Sequence, residues 1–139
     1  MKTKIKGVIL IVLVTCSSYV FAQDVVTETG DTLRISSTGV ISDLSNNTIG
    51  EVLSNGDIKD ANGVRIGSIE GNNFKDLNNM VLGSINTTTG EVFDVNETKI
   101  GEVINGVTIK DISGNIIGIA SSYINEKWLA AYYFFYFNN

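Results

Sequence analysis

Residues 58–69, IKDANGVRIGSI, are the clearest copy of a unit that the chain repeats five times. Each copy has an aspartate, and a glycine follows it after seven residues. An apolar residue stands two positions before each aspartate, a second directly before each glycine, and a third two positions after it. A fixed interval of this kind indicates one small structural unit used repeatedly around a shared core.

The repeats are centred on Asp43, Asp60, Asp76, Asp94 and Asp111, and their glycines are Gly50, Gly67, Gly83, Gly101 and Gly118. The first apolar column contains Ile41, Ile58, Phe74, Val92 and Ile109. The second contains Ile49, Ile66, Leu82, Ile100 and Ile117, and the third contains Val52, Ile69, Ile85, Val103 and Ala120.

The residues after each aspartate predict a β-hairpin with a three-residue loop. Aspartate at the start of a turn accepts hydrogen bonds from the backbone two residues on, and glycine or asparagine at the fourth position tolerates a left-handed backbone. Glu97 stands at that fourth position in one repeat and fits it poorly. In the clearest copy we expect Lys59 to pair with Arg65 and Ile58 to pair with Ile66, which would place the first two apolar columns on one face. The three-residue step to the third column predicts a bulge at the glycine.

We therefore predict an all-β fold in which residues 23–120 form five hairpins in a pseudo-five-fold arrangement around a shared core. A β-solenoid with coils of about 17 residues is the main alternative, and it would not need the chain to reverse after every aspartate. Residues 31–35 are expected to be an orphan strand that pairs with the edge left by the last hairpin. Residues 23–29 are expected to be a frayed lead-in.

Residues 1–22 have the pattern of a signal peptide, with Lys2, Lys4 and Lys6 before a short apolar segment and Val20-Phe21-Ala22 before the cleavage site. We expect cleavage before Gln23 and export to the periplasm or the medium. Lipoprotein anchoring at Cys16 is the less favoured alternative, because Thr15 is a poor residue before a lipidated cysteine. The mature chain is expected to have no transmembrane segment, since its longest apolar run is too short to span a bilayer.

Residues 121–139 form an aromatic tail that we expect to pack on the hairpin domain. The spacing of Ile124, Trp128 and Leu129 favours a helix that begins near Asn125. The aromatic run 132–137 suits a strand equally well, so helix and strand both remain possible there. The tail could cover an open end of the hairpin assembly or form an exposed contact surface, and we favour the first.

Composition removes many kinds of chemistry. The chain has no histidine and a single cysteine, which lies in the signal peptide. Histidine-dependent and cysteine-dependent catalysis, zinc fingers and thiol redox centres are therefore excluded. The mature chain would keep seven basic residues against fifteen acidic ones, which argues against a nucleic-acid partner.

The repeated aspartates are the remaining candidates for a metal site or for catalysis. The segment from Asp60 to Gly63 is similar to the start of a calcium loop, but Val64 stands where a further oxygen ligand is needed. Turn capping explains all five aspartates, so we predict no metal, no cofactor and no catalytic residue. A carboxylate pair of the glycosidase type stays open as an alternative.

The signal peptide, the five repeats and the ending Ala130-Ala131-Tyr132-Tyr133-Phe134-Phe135 resemble the five-fold beta-flower proteins of Bacteroidetes. The resemblance implies hairpins around a pseudo-five-fold axis, and it implies no activity. For function we carry two hypotheses. The first is a non-enzymatic binding or structural module for an unknown envelope protein or glycan. The second is a carboxylate-dependent hydrolase, which would need a cleft with two converging carboxylates.

Overall fold

A computed structural model describes residues 23–27 and 30–138, so the predicted signal peptide and Cys16 lie outside the described residues. The described chain forms twelve strands, followed by the short helix α1 (Glu126–Ala130) and a π-helical turn, here α2 (Ala131–Tyr136). The strands are β1 (Gln23–Thr27), β2 (Thr32–Ile35), β3 (Val40–Asp43), β4 (Thr48–Val52), β5 (Asp57–Asp60), β6 (Arg65–Glu70), β7 (Asn73–Lys75), β8 (Val81–Ile85), β9 (Glu91–Asp94), β10 (Lys99–Ile104), β11 (Thr108–Asp111) and β12 (Ile116–Ala120). Each strand pairs antiparallel with its chain neighbours, and β1 also pairs with β12 to close a barrel.

The chain reverses at each repeated aspartate. At the clearest copy, the Asp60 N–H donates to the Val64 carbonyl oxygen at 2.9 Å, and the Gly63 N–H donates to the Asp60 carbonyl oxygen at 3.0 Å. The same two bonds recur in the other four turns. These reversals confirm the hairpins and rule out the solenoid.

The fourth turn position is left-handed in every repeat, as glycine and asparagine predict for four of them. The φ angles there run from 62° to 83°, at Asn46, Gly63, Asn79, Glu97 and Gly114. Glu97 adopts this conformation although it has a Cβ, which costs an L-residue about 1–2 kcal/mol.

The predicted strand pairing is correct for the residue pair beside each turn and wrong for the next pair. Lys59 pairs with Arg65 as expected, but Ile58 pairs with Gly67 rather than with Ile66. The bulge therefore falls on the residue before the glycine, and the same shift occurs in the other four repeats. As a result the first column is buried opposite the glycines, while the second column is only partly buried.

The barrel contains six hairpins, so the predicted five-fold arrangement is not confirmed. The segment expected to be a frayed lead-in forms β1, which pairs with β2 on one side and with β12 on the other. It is therefore β1, and not the strand of residues 31–35, that closes the ring against the last hairpin. The first hairpin turns as the others do, since the Thr27 N–H donates to the Asp31 carbonyl oxygen at 2.8 Å. Thr27 stands where the repeats have aspartate.

A twelve-stranded barrel is too wide to be filled by the side chains of its own wall, since about eight strands give that width. The aromatic tail occupies the lumen. It enters at the end of the barrel where the links between hairpins lie, which we call the link end, and there Lys127 Nζ donates to the Gly71 carbonyl oxygen at 2.7 Å. Leu129, Ala130 and Ala131 are fully buried. The prediction of a helical tail is confirmed, and its aromatic part is helical too.

Each glycine of the repeats faces one aromatic ring of the tail. A Cβ added at any of the five would meet that ring well inside van der Waals contact. The order of the pairs is regular, because each next residue of the tail meets the glycine of the preceding repeat. The pairs are Tyr133 with Gly118, Phe134 with Gly101, Phe135 with Gly83, Tyr136 with Gly67, and Phe137 with Gly50. Five consecutive side chains thus point to five successive hairpins. An α-helix turns about 100° per residue, and a π-helical turn, which has more residues per turn, takes smaller steps.

Candidate functional site

The five repeated aspartates act as turn caps. Each Oδ1 accepts two backbone N–H groups: from Ser45 and Asn47 at Asp43, and from Asn62 and Val64 at Asp60. The donor–acceptor distances in the five turns are 2.8–3.0 Å, and the other three aspartates bond in the same way. All five lie at the end of the barrel opposite the link end, which we call the turn end.

Local hydrogen bonds tune two of these carboxylates further. The side-chain amide of Asn47, assisted by backbone N–H groups, lowers the pKa of Asp43 below its ordinary value. Asn115 lowers the pKa of Asp111 in the same way. A depressed carboxyl pKa suits a fixed structural anion, whereas a catalytic acid requires a raised one.

Nothing in the described residues points to a hydrolase. The lumen, where a deep cleft would lie, is occupied by the chain's own tail. No group of three or more acidic or cysteine side chains within residues 23–27 and 30–138 is arranged to hold a metal ion. In the same part of the chain, no helix is long and apolar enough to cross a membrane.

Bulky aliphatic side chains project from the turn end. The first loop residue after the aspartate is more than half exposed in four of the five repeats, at Leu44 (53%), Leu77 (57%), Val95 (61%) and Ile112 (62%). We call these four residues the apolar crown. Met80, in the same turn as Leu77, and Val64, in the turn that carries Ala61, are also more than half exposed. An exposed aliphatic group has no role in closing such a turn, because the hydrogen bonds come from the aspartate and the backbone.

The turn end is acidic as well as apolar. The five capping aspartates are joined there by Glu97 and Asp31. Basic side chains lie behind the turns on the outer wall, and several are engaged with wall carboxylates. Arg65 Nε is 2.9 Å from Asp57 Oδ1, and Lys99 Nζ is 3.1 Å from Glu102 Oε2. Lys75 is paired with Glu70.

A concave site lies at the link end. Its cavity of about 300 Å³ is bounded by the loop from Leu53 to Gly56 and by Asn125, Lys127 and Trp128 at the start of the tail. Among the described residues that line it, Lys127 is the only charged one. Its volume is at the lower end of the range typical of small-molecule pockets.

Comparison with known proteins adds one finding. The family model described as "5-fold beta-flower protein" matches residues 22–137. The chain belongs to this beta-flower family. No curated protein and no solved structure matches the chain.

The beta-flower match covers every strand and nearly all of the tail. Five of the six hairpins carry the glycine and the bulge, so the repeat occurs five times within a ring of six. The family name carries no activity, and the function of this chain has to be argued from its surfaces.

Sequence reasoning placed the aspartates correctly at turns but missed both surfaces. The crown could have been found, because an apolar residue follows the aspartate in all five repeats, as Leu44, Ala61, Leu77, Val95 and Ile112. No repeated pattern in the sequence marked the link-end cavity, since its walls come from the second and third hairpins and from the tail, which is distant in the chain.

Proposed function

We propose that this beta-flower chain is an exported, non-enzymatic binding module that docks a protein partner at its turn end. The observation that carries the proposal is the apolar crown. Leu44, Leu77, Val95 and Ile112 hold the same turn position and all expose more than half of their surface. Burying one such side chain contributes about 1.5–3 kcal/mol, so four together are sufficient to support specific docking.

The charges around the crown indicate the chemistry of the partner. The turn end presents five capping aspartates, and local hydrogen bonds lower the pKa of two of them, Asp43 and Asp111. Glu97 adds another acidic side chain there. The wall cations behind it are partly neutralised by Asp57, Glu70 and Glu102. A complementary surface would combine apolar side chains with lysine or arginine, because opposite potentials favour association and exclude wrong partners.

The rigidity of the turns supports the same function. Each crown residue is carried on a loop that is closed by two backbone bonds and two bonds to an aspartate. Binding through such loops requires little ordering, so less of the contact energy is lost.

The proposal is tested with a basic amphipathic helix made of leucine and lysine, and with its glutamate counterpart, by fluorescence anisotropy. We expect the basic peptide to bind with a Kd of about 10 µM and the acidic peptide not to bind. The triple variant Leu77→Ser, Val95→Ser, Ile112→Ser should lose the binding. The control variant Val26→Thr, Ile119→Thr removes exposed aliphatic groups from a cross-strand pair on the outer wall, outside the turn loops, and should keep it.

Three results would count against the proposal. Binding of the basic peptide that survives the crown variant would place the site elsewhere. Crown-dependent binding to phosphatidylcholine vesicles, stronger than to the peptide, would indicate a lipid surface. Crown-dependent dimerisation in light scattering would indicate a second copy of the chain as the occupant.

Export is part of the proposal and rests on the pattern of residues 1–22. Expression of the full chain should give a mature protein whose first residue is Gln23, as read by mass spectrometry. A cytoplasmic protein that keeps Met1 would remove this part of the proposal and leave the docking surface untouched.

A further inference from the structure

The link-end cavity is lined by both apolar and polar residues. Val52 and Ile69, of the third apolar column, lie on its walls together with the indole of Trp128. The polar groups come from Ser54, Asn125 and Lys127. A pocket lined by both kinds of residue suits a small amphipathic ligand.

Lys127 is held in place beside this cavity. Its ammonium donates to the Gly71 carbonyl oxygen at 2.7 Å, which uses one of its three N–H donors. Because no carboxylate lines the cavity, Lys127 gives its lining a net positive charge. In a chain with a formal net charge of −5, a pocket with only a positive charge is a local exception that favours an anion.

Trp128 supplies the other half of the recognition. It is the only tryptophan of the chain, and its side chain is partly buried beside the cavity. An indole offers a large flat apolar face that packs against C–H groups, and the ring faces of pyranose sugars present such groups. Asn125 accepts the Lys127 backbone N–H through Oδ1 at 3.0 Å, which leaves its NH₂ donors for hydroxyl groups.

We propose that the link-end cavity binds a pyranose sugar that carries a carboxylate. The ring would lie against Trp128, and the carboxylate would accept from the Lys127 ammonium. This site is separate from the turn end, at the opposite opening of the barrel, and it does not depend on the partner proposed there.

The fluorescence of Trp128 reports on the cavity directly, because the chain has no other tryptophan. The intact mature chain is titrated with glucuronate, with glucose, which lacks the carboxylate, and with acetate, which lacks the ring. We expect a saturable change with glucuronate and a Kd of about 1 mM. Glucose should bind about tenfold more weakly, since a charge-assisted hydrogen bond is lost, and acetate should give no saturable change.

Two charge variants sharpen the result. Lys127→Met should reduce the affinity for glucuronate to that for glucose, whereas Lys59→Met removes the same charge from the outer wall and should leave it unchanged. Circular dichroism checks that both variants keep the fold. Equal affinities of Lys127→Met and the parent for glucuronate, or no saturable response of the parent chain to glucuronate, would overturn the proposal.

Discussion

The first hairpin of the barrel and the five that follow share a turn geometry but differ in what faces the lumen. In the five, a glycine faces the lumen and the preceding residue bulges out. In the first, Leu33 pairs with Val25 without a bulge, and both are buried. The glycine is therefore not needed to build a hairpin of this barrel. It is needed where an aromatic ring of the tail lies against the wall and, in four of the five hairpins, where a neighbouring backbone carbonyl also leaves no space for a Cβ.

The difference matters because the tail has a matching asymmetry. Tyr133 to Phe137 each cover one glycine, whereas Tyr132 stacks on Phe137 at a centroid distance of 5.8 Å and forms an edge contact with Tyr133 at 5.1 Å. In five hairpins a glycine thus leaves room for a ring of the tail, whereas in the first hairpin the side chains of Val25 and Leu33 fill the corresponding space. Substitutions in the two kinds of hairpin can test this difference.

Substitution of a lumen glycine should have the largest effect. Gly83→Ala would place a Cβ against the Phe93 carbonyl oxygen and the ring of Phe135. Because the backbone oxygen cannot move aside, we expect the free energy of unfolding to fall by about 3 kcal/mol. Urea denaturation measures it. Leu33→Val in the first hairpin is the control and should cost about 1 kcal/mol. Equal costs at the two positions would show that the hairpins do not differ in this way.

A double-mutant cycle can test the pairing of ring and glycine. A Cβ at Gly118 would meet atoms of Tyr133 first, whereas at Gly83 the nearest atom is backbone. Tyr133→Leu should therefore restore about 1–2 kcal/mol of the stability lost in Gly118→Ala. Phe135→Leu should restore much less of the loss in Gly83→Ala. Additive effects within the Gly118 and Tyr133 pair would contradict the ordered match.

The two tyrosines that cover glycines should respond differently to loss of the hydroxyl. Tyr136 Oη lies 2.8 Å from the Lys75 carbonyl oxygen and 3.1 Å from the Ser68 carbonyl oxygen, and its hydroxyl can donate to either of them. Tyr133 Oη is buried and has no hydrogen-bond partner among the described residues. We expect Tyr136→Phe to lower the free energy of unfolding by about 1 kcal/mol, and Tyr133→Phe to leave it unchanged or raise it. Thermal unfolding of the two variants tests this difference. A larger loss of stability in Tyr133→Phe than in Tyr136→Phe would mean that the Tyr133 hydroxyl does have a hydrogen-bond partner.

The smallest effect concerns the turn that all hairpins share. Glu97 has a φ of 62°, where Gly63 of the clearest repeat has 76°. Glu97→Gly should raise the free energy of unfolding by about 0.5 kcal/mol, because relief of the strain exceeds the added freedom of the unfolded chain. Gly63→Ala is the reverse change and should lower it. Chemical denaturation of both variants tests this, and a loss of stability in Glu97→Gly would show that the side chain has another role.

Much of the local structure could be predicted from the sequence. The positions of five hairpin turns followed from Asp60 and its four equivalents, and the outward pair Lys59 and Arg65 followed from the loop length. The first hairpin was missed because it carries Thr27 and Leu33 where the repeats carry aspartate and glycine, so it lacks the two residues that mark a repeat.

The functional surfaces were less accessible to sequence reasoning. Exposure of the crown depends on which way each loop faces, and the link-end cavity depends on where Lys127 and Trp128 come to rest. Neither the exposure of the crown nor the shape of the cavity can be derived from residue spacing, because both depend on residues that are distant in the chain.

The sequence by itself determined where the chain reverses and which columns are apolar, since turn chemistry and alternation act over a few neighbouring residues. Only the tertiary structure decided that the bulge falls on Ile66 rather than at Gly67, and that the tail lies inside the barrel. Both depend on the width of the lumen, which twelve strands set together when the ring closes. The free volume left at the axis is a property of the whole ring, and no single repeat contains it.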